Sequence, residues 1–137
     1  MDAARTYLAA ARSRRSENRS IQLAITTDGQ TPCGEILLFP TGPNGRDPNG
    51  PHAELAYAIG AAYRRQGVAT RAVRLITEYA YQHLGMEQVI LRIHPDNVAS
   101  AAVARATGFH LTNPIPVMDP DAEPLRTWRH HQATPLD

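Results

Sequence analysis

Lysine is absent from this sequence, and cysteine occurs once. All fourteen basic residues among the 137 are arginines; thirteen acidic residues nearly balance them, leaving a net charge of +1. The overall field therefore points to no particular partner, and we expect no nucleic-acid binding. The single cysteine, Cys33, excludes an intrachain disulfide. No group of His, Cys, Asp and Glu residues has the spacing of metal ligands, so we also expect no metal.

Long apolar runs are also missing. No run approaches the roughly twenty residues that span a bilayer. The amino-terminal segment is polar and rich in arginine, unlike a signal peptide. These features predict a soluble, cytoplasmic protein without a membrane partner, and the length predicts a single domain over 1–137.

The first half of the chain is predicted to contain one helix and three strands. Apolar spacing predicts the helix over 2–16. The arginines at 12–19 are interpreted as its solvated end rather than a nucleic-acid patch, because aromatic residues are not interleaved with them. "SIQLAITT" and "CGEILLF" predict a hairpin that turns at Asp28-Gly29. The Pro/Gly-rich stretch 40–52 predicts a flexible loop, either a functional flap or an insertion, before a strand over 53–59.

The second half alternates helices and strands. Helical spacing predicts a helix over 67–83, followed by the strand "EQVILRI". Asp96 or Asn97 is expected to cap a short helix that Gly108 stops. Residues 113–124 are interpreted as a loop before a last strand, "LRTWRHH". The fold class is α/β (α+β), with a mixed, mostly antiparallel central sheet flanked by helices.

The stretch "YRRQGVAT" lies where a strand leads through a turn into a helix. The first turn of a helix carries unpaired amides and a partial positive charge, and Gly67 leaves the backbone open to a ligand. With two arginines beside it, this corner suits phosphates, although an ordinary turn would have the same composition. The GxxxxGK[ST] loop needs a lysine, so it is excluded.

"YRRQGVAT" resembles the R/Q-x-x-G-x-G/A signature of the GNAT acetyltransferase superfamily. "HPDNVASAAVARATGF" resembles its second signature, with Asn97, Ser100, Gly108 and Phe109 in the signature places. With "ELAYAI" upstream, the pattern most resembles the ribosomal-protein alanine acetyltransferase branch. The resemblance implies that the usual first strand and helix are lacking, so that a second copy in a homodimer would cover the sheet edge.

By this resemblance the co-substrate is acetyl-CoA. Its pyrophosphate would bind at residues 65–70, and its pantetheine arm would run between two strands that the family splays apart. Asn97 would contact the cofactor or fix the loop after the second of these strands. The cofactor-binding residues predicted in this way are Ile59, Gly60, Ala61, Arg64, Arg65, Gln66, Gly67, Val68, Ala69, Thr70 and Asn97.

The resemblance also directs the search for catalytic residues. Many relatives place a tyrosine acid where this chain has Ala104, so Ser100 is the nearest alternative, unless it is only a surface serine. Glu54 is the candidate base, unless it is a plain strand-edge carboxylate. His52 and His94 are further bases at strand ends, and a backbone N–H near Ile59 or Gly60 is the expected oxyanion donor.

The predicted function is acetyl transfer from acetyl-CoA to a primary amine, by direct attack in a ternary complex. The acceptor stays open between a protein amino terminus and small-molecule amines. The alternative is a catalytically degenerate module that binds acyl-CoA without transferring the acyl group.

Overall fold

A seven-stranded sheet and two helices make up the fold. The computed structural model describes residues 7–10, 20–41, 50–119 and 122–131. The strands are β1 (Tyr7–Ala10), β2 (Ile21–Thr26), β3 (Pro32–Thr41), β4 (His52–Ile59), β5 (Gln88–Ile93), β6 (His110–Asp119) and β7 (Ala122–His131), and the helices are α1 (Val68–His83) and α2 (Val98–Ala106). The strand order is β1-β2-β3-β4-β5-β7-β6. Among these strands only β4 and β5 pair in parallel, which confirms a mixed, mostly antiparallel sheet.

Both described helices cover the same face of the sheet. The register places Leu38 opposite Leu55, Leu55 opposite Leu91, and Leu91 opposite Trp128, and all four residues are buried. Because side chains alternate along a strand, this row defines the apolar face. α1 packs there through residues at helical spacing: Val68, Ala72, Val73, Ile76 and Ala80. We call this the helix face of the sheet and the other the open face, since no described helix covers it.

The helix ends follow from local chemistry. Gly67 precedes α1 with φ 76°, and Gly85 follows it with φ 68°; a side chain would strain either position. Asn97 caps α2, because its Oδ1 accepts a hydrogen bond from the Ser100 amide at 3.0 Å. Beyond Gly108, the amide of Phe109 donates to the carbonyl of Ala104 at 2.9 Å, and the Phe109 ring is buried. Both predicted helices of the second half are confirmed.

Two predictions of secondary structure are wrong. Residues 7–10 form β1 rather than part of a helix, because pairing with the outer edge of β2 satisfies their backbone groups. The stretch 113–124 belongs largely to β6 and β7 rather than to a loop. The prolines within β6, Pro114 and Pro116, are tolerated because β6 is an edge strand whose register shifts several times against β7. The arginines at 12–19 and most of the Pro/Gly-rich stretch, 42–49, lie outside the described residues.

Gly34 is the point of closest approach between β3 and β4. It lies opposite Ile59, and a Cβ there would collide with the carbonyl oxygen of Ala58. We expect Gly34→Ala to lower the free energy of unfolding by about 1–3 kcal/mol, because the strands would have to move apart. Chemical denaturation measures the loss. Gly85→Ala is the control, since nothing lies within 4 Å and only backbone strain of about 1 kcal/mol is expected. Equal losses in both variants would contradict the steric explanation.

Candidate active site

A cleft opens between the carboxyl ends of β4 and β5. The two strands pair from His52 and Gln88 to Leu55 and Leu91. Beyond that point β4 pairs only with β3, as far as Ile59, and the last two residues of β5 pair only with β7. The last four residues of β4, 56–59, are therefore no longer paired with β5, as the resemblance implies.

The hydrogen-bond alternation of β4 determines which backbone groups line this cleft. The Gly60 amide donates to the Cys33 carbonyl at 2.8 Å, so this position faces β3. In an antiparallel pair alternate residues turn toward the partner, so the backbone groups of Tyr57 and Ile59 face away from β3 and into the cleft. The Gly60 amide is therefore bonded to Cys33 and is not available as an oxyanion donor, so one of the two predicted positions of that donor is wrong. The Ile59 amide remains a candidate.

The turn after β4 leads directly to the amino end of α1. Gly67 adopts φ 76° and ψ 10°, and the first hydrogen bond of the helix runs from the Arg71 amide to the Gly67 carbonyl at 3.1 Å. The amides of Val68, Ala69 and Thr70 come before that bond and have no acceptor within the helix. Unpaired amides at the amino end of a helix, together with its dipole, are able to bind an anion. We call residues 64–70 the cradle.

Side chains of the cradle brace the turn. Arg64 Nε donates to the Ile59 carbonyl at 3.4 Å, and Gln66 Nε2 donates to the Ala62 carbonyl at 3.2 Å. Arg65 has φ 65°, the one positive value outside glycine in the described part of the chain. Such a conformation is unfavourable for an arginine and is typical of functional turns. Ala61 lies in the short 3₁₀ helix, Ala61–Tyr63, that connects β4 to the cradle.

The two predicted catalytic residues lie on opposite faces of the sheet. Glu54 has the strand parity of the open face, and its carboxylate is 3.5 Å from Arg92 Nε. Burial raises the pKa of Glu54, and the charge of Arg92 opposes that rise. Ser100 is on α2, which packs on the helix face. Glu54 pairs with Ile90 one position before the ladder between β4 and β5 ends, so it precedes the part of β4 that lines the cleft.

Tyr57 is a cleft residue that the sequence reasoning missed. It belongs to the part of β4 that no longer pairs with β5, and its side chain packs against the core on the helix face. Its hydroxyl is buried. Burial raises the pKa of Tyr57, and the hydrogen-bonding influence of the Ser100 side chain lowers it. Strand periodicity alone classifies Tyr57 as a core residue, and only the register of β5 places it at the cleft.

A cavity of about 540 Å³ lies on the β3 side of β4, over β2, β3 and the end of β4. Its lining includes Ile59, Gly60 and the carboxylate of Glu35, which lies directly across the strands from Ala58. Gln22 Nε2 donates to Glu35 at 2.8 Å. Glu35 is the second open-face carboxylate beside β4, and it too was missed, because a charged residue at an exposed strand position has no distinctive sequence signal.

The two histidines that were predicted as further bases lie at opposite ends of the cleft. His94 follows β5 at the open end of the cleft, where its Nδ1 accepts a hydrogen bond from the Asp96 amide at 3.1 Å. His52 begins β4 at the closed end, paired with Gln88, about 23 Å from Ile59 at the ordinary rise of a strand. The prediction that His52 lies near the cleft is therefore wrong. The residue is buried, with 8% of its surface exposed, and no hydrogen-bond partner reaches its Nδ1.

Comparison with known proteins shows the family. The model of the acetyltransferase (GNAT) domain matches residues 1–110. A curated relative, "Probable N-acetyltransferase YjcK" of Bacillus subtilis (strain 168), is 33% identical over 58 residues, which are 42% of this chain and 32% of that protein. The chain belongs to the acetyltransferase (GNAT) family, as its two signatures predicted.

Solved structures show the same fold. The ribosomal-protein-S5-alanine acetyltransferase of Vibrio fischeri aligns with a TM-score of 0.68 and 16% identity, over 84% of this chain and 63% of that one. The aminoglycoside acetyltransferase AAC(6')-Ib, in a complex with paromomycin and acetyl-CoA, aligns with a TM-score of 0.70 and 14% identity, over 85% of this chain and 67% of that one. The chain thus spans about a third of its curated relative and about two thirds of these structures. No helix of the described residues is long and apolar enough to cross a membrane.

His52 generates a prediction about stability. Burial, and then the charge of Arg129, lower the pKa of His52 in the folded protein. At a pH below about 6.5, the ordinary pKa of histidine, the unfolded chain therefore binds more protons than the folded protein. Stability then falls as the pH decreases through that value. We expect the free energy of unfolding to decrease from pH 7 to pH 5, with a shallower slope in His52→Gln. Denaturation at several pH values measures it. His83→Gln removes an exposed histidine as the control, and an equal change of slope there would contradict the assignment.

Proposed function

We propose that this chain transfers an acetyl group from acetyl-CoA to a primary amine by direct attack in a ternary complex. The observation that carries the proposal is the continuity of cleft and cradle. β4 lines the cleft, and only eight residues, 60–67, separate its end from the first amide of α1. A molecule with a phosphate group at one end and a thioester at the other matches that arrangement.

The cradle would hold the pyrophosphate. The amides of Val68, Ala69 and Thr70 and the dipole of α1 supply the donors, and Gly67 leaves the approach open. The pantetheine arm would lie along Tyr57 and Ile59, whose backbone groups face the cleft. An amide facing the cleft, such as that of Ile59, would stabilise the tetrahedral oxyanion, and one such donor contributes on the order of 10²–10³ in rate.

We assign the two proton transfers of the reaction to different faces of the sheet. The amine would approach from the open face, where Glu54 acts as base, directly or through a water. Its raised pKa suits this role, because a stronger base accepts the amine proton more readily near neutral pH. The thiolate would leave toward the helix face, where Ser100 is the candidate proton donor. Nitrogen and sulfur occupy different corners of the tetrahedral intermediate, so a base and an acid on different sides are compatible with it.

The acceptor class follows from the same face. Glu35 and Glu54 both project there from neighbouring strands, and Glu35 borders the cavity beside the end of β4. Carboxylates attract ammonium groups, so a positively charged amine is favoured over a neutral one. Protein amino termini and small-molecule amines both satisfy this chemistry.

A second candidate is a module that binds acyl-CoA without transferring the acyl group. Ala104 favours it, because it is fully buried and offers no acid at the position where many relatives have a tyrosine. Detection of released thiol with a panel of amines distinguishes the two functions. Transfer requires release with at least one amine, whereas the binding module would release no thiol with any of them.

The cradle is tested by ligand-induced stabilisation. Acetyl-CoA and free CoA both contain the pyrophosphate, so each should stabilise the wild type by about 2.7 kcal/mol at a hundredfold excess over the Kd. The melting temperature should rise by about 5–15 °C. Gly67→Asp should remove the shift, because it places a carboxylate where the phosphates bind. Gly85→Asp imposes similar backbone strain at the far end of α1 and should keep it. A wild type whose melting temperature neither ligand changes would refute the cradle.

Glu54 is tested by the pH dependence of turnover. Activity requires the carboxylate, so kcat/KM should fall as the pH decreases through the raised pKa of Glu54, above its ordinary 4.5. Glu54→Gln should lower turnover by about 10²-fold and abolish this acid limb. Arg92→Gln should move the limb to higher pH, because the cation that lowers the pKa is lost. An unchanged limb in Glu54→Gln would transfer the role to another base.

A further inference from the structure

A carboxylate with small neighbours lies beside the end of β4. Strand pairing places Glu35 of β3 between Ala24 of β2 and Ala58 of β4, on the open face of the sheet. Because both neighbours are alanines, no bulky side chain stands beside the carboxylate within this row. All three residues line the cavity of about 540 Å³, which we call the β3 cavity. Its volume is within the range of sites that bind small molecules.

The charge of Glu35 is not neutralised within the described part of the chain. Its hydrogen-bond partner there is the neutral side chain of Gln22, whose Nε2 donates to one carboxylate oxygen at 2.8 Å. Glu54, the other open-face carboxylate beside β4, differs, because the Arg92 guanidinium lies 3.5 Å from it. A cationic group in the β3 cavity would therefore find its ion-pair partner at Glu35 rather than at Glu54.

The other walls of the β3 cavity are mainly apolar. Leu23, Ile59 and Tyr63 line it, and the Tyr63 ring lies close to Gly60, where a Cβ would be 3.5 Å from the ring. Aliphatic walls favour burial of methylene groups, and an aromatic ring attracts a cation. This lining fits an aliphatic chain that ends in an ammonium group.

The floor of the β3 cavity is a hydrogen-bonded ladder. β2, β3 and β4 pair with one another on both sides of Glu35, and the Gly60 amide bonds to the Cys33 carbonyl. A bound peptide needs partners for its own amides and carbonyls. Strands whose backbone groups are already paired do not supply them, so the cavity favours a small amine over an extended peptide.

Ala58 connects the β3 cavity with the cleft. It belongs to the part of β4 that no longer pairs with β5, and both Ala58 and Ala56 are exposed on the open face. A flexible chain can cross β4 over these two methyl groups. Glu35 lies two strand spacings, about 10 Å, from the middle of the cleft, and a linear chain of about five carbons between two nitrogens bridges that distance once the reach of the glutamate side chain is included.

We propose that Glu35 is a specificity-determining residue, which binds the second ammonium group of a linear aliphatic diamine while the first amino group reacts in the cleft. This inference rests on the proposed function and names its acceptor class. When the neutral amino nitrogen bonds to the acetyl carbon, the carbon–sulfur bond breaks. The nitrogen gives up a proton to the base, and the sulfur leaves with CoA and takes up a proton. The ammonium group at Glu35 keeps its protons throughout.

Matched acceptors test the subsite. A five-carbon diamine, a five-carbon monoamine and an amino alcohol of the same length are compared, with kcat and KM measured by thiol release from acetyl-CoA. In the wild type, kcat/KM should be about tenfold higher for the diamine, mainly through a lower KM, because a hydrogen bond to a charged group in a partly exposed cavity contributes a factor of that order. The amino alcohol has no second charge and should behave like the monoamine.

Variants of Glu35 assign the preference to this residue. Glu35→Gln keeps the size of the side chain and an acceptor for Gln22, and it should abolish the preference for the diamine while leaving the monoamine kinetics unchanged. Glu35→Lys should favour a five-carbon amino acid with a terminal carboxylate over the diamine. Glu78→Gln removes the same charge from an exposed position of α1 and, as the matched control, should keep the preference. All three variants should keep the rise in melting temperature with CoA, because the cradle is unchanged.

The outcomes separate the subsite from the reaction. A preference that Glu35→Gln loses and Glu78→Gln keeps supports the inference. Equal kcat/KM values for diamine and monoamine in the wild type, or a preference that Glu35→Gln retains, would overturn it while acetyl transfer stands. Transfer to peptide amino termini alone would also overturn it. A wild type that binds CoA but releases no thiol with any amine would refute the proposed function, and this inference with it.

Discussion

The parallel pairing of β4 with β5 ends at Leu55 and Leu91, and the arrangement of the site depends on that end point. Up to it, the two strands share one ladder and one apolar core. Beyond it, each strand keeps a partner on its outer side, β3 for β4 and β7 for β5, so both stay ordered while they separate. The cleft therefore exposes backbone groups without exposing a free edge, a combination that an isolated pair of strands would not sustain.

The alternation of β4 distributes chemistry around this cleft. Even-numbered residues bond to β3 and place Glu54 on the open face, while odd-numbered residues turn their backbone toward the cleft and place Tyr57 under the helices. A shift of one residue in register would exchange these faces and bury the carboxylate. Gly34 helps to maintain the register, because β3 approaches Ala58 too closely there for any side chain.

The cradle is an outcome of backbone geometry more than of charge. Gly67 and Arg65 both adopt positive φ, and this conformation turns the chain from the end of β4 into the first turn of α1. Arg64 and Gln66 bond to carbonyls of the same turn. Their side chains therefore hold the turn in place, and a turn that is already ordered would lower the ordering cost of the proposed binding.

The sequence by itself determined the features that depend on neighbouring residues: α1 and α2 with their caps, the β2–β3 turn at Asp28, the two signatures and hence the family. Tertiary structure decided the rest. Residues 7–10 became a strand because the edge of β2 was available, and β6 kept its prolines because it is an edge. His52 lies at the closed end of the cleft, the Gly60 amide is engaged, and Tyr57 reaches the cleft because strand pairing positions them. Pairing joins segments far apart in the chain, so no local pattern contains it.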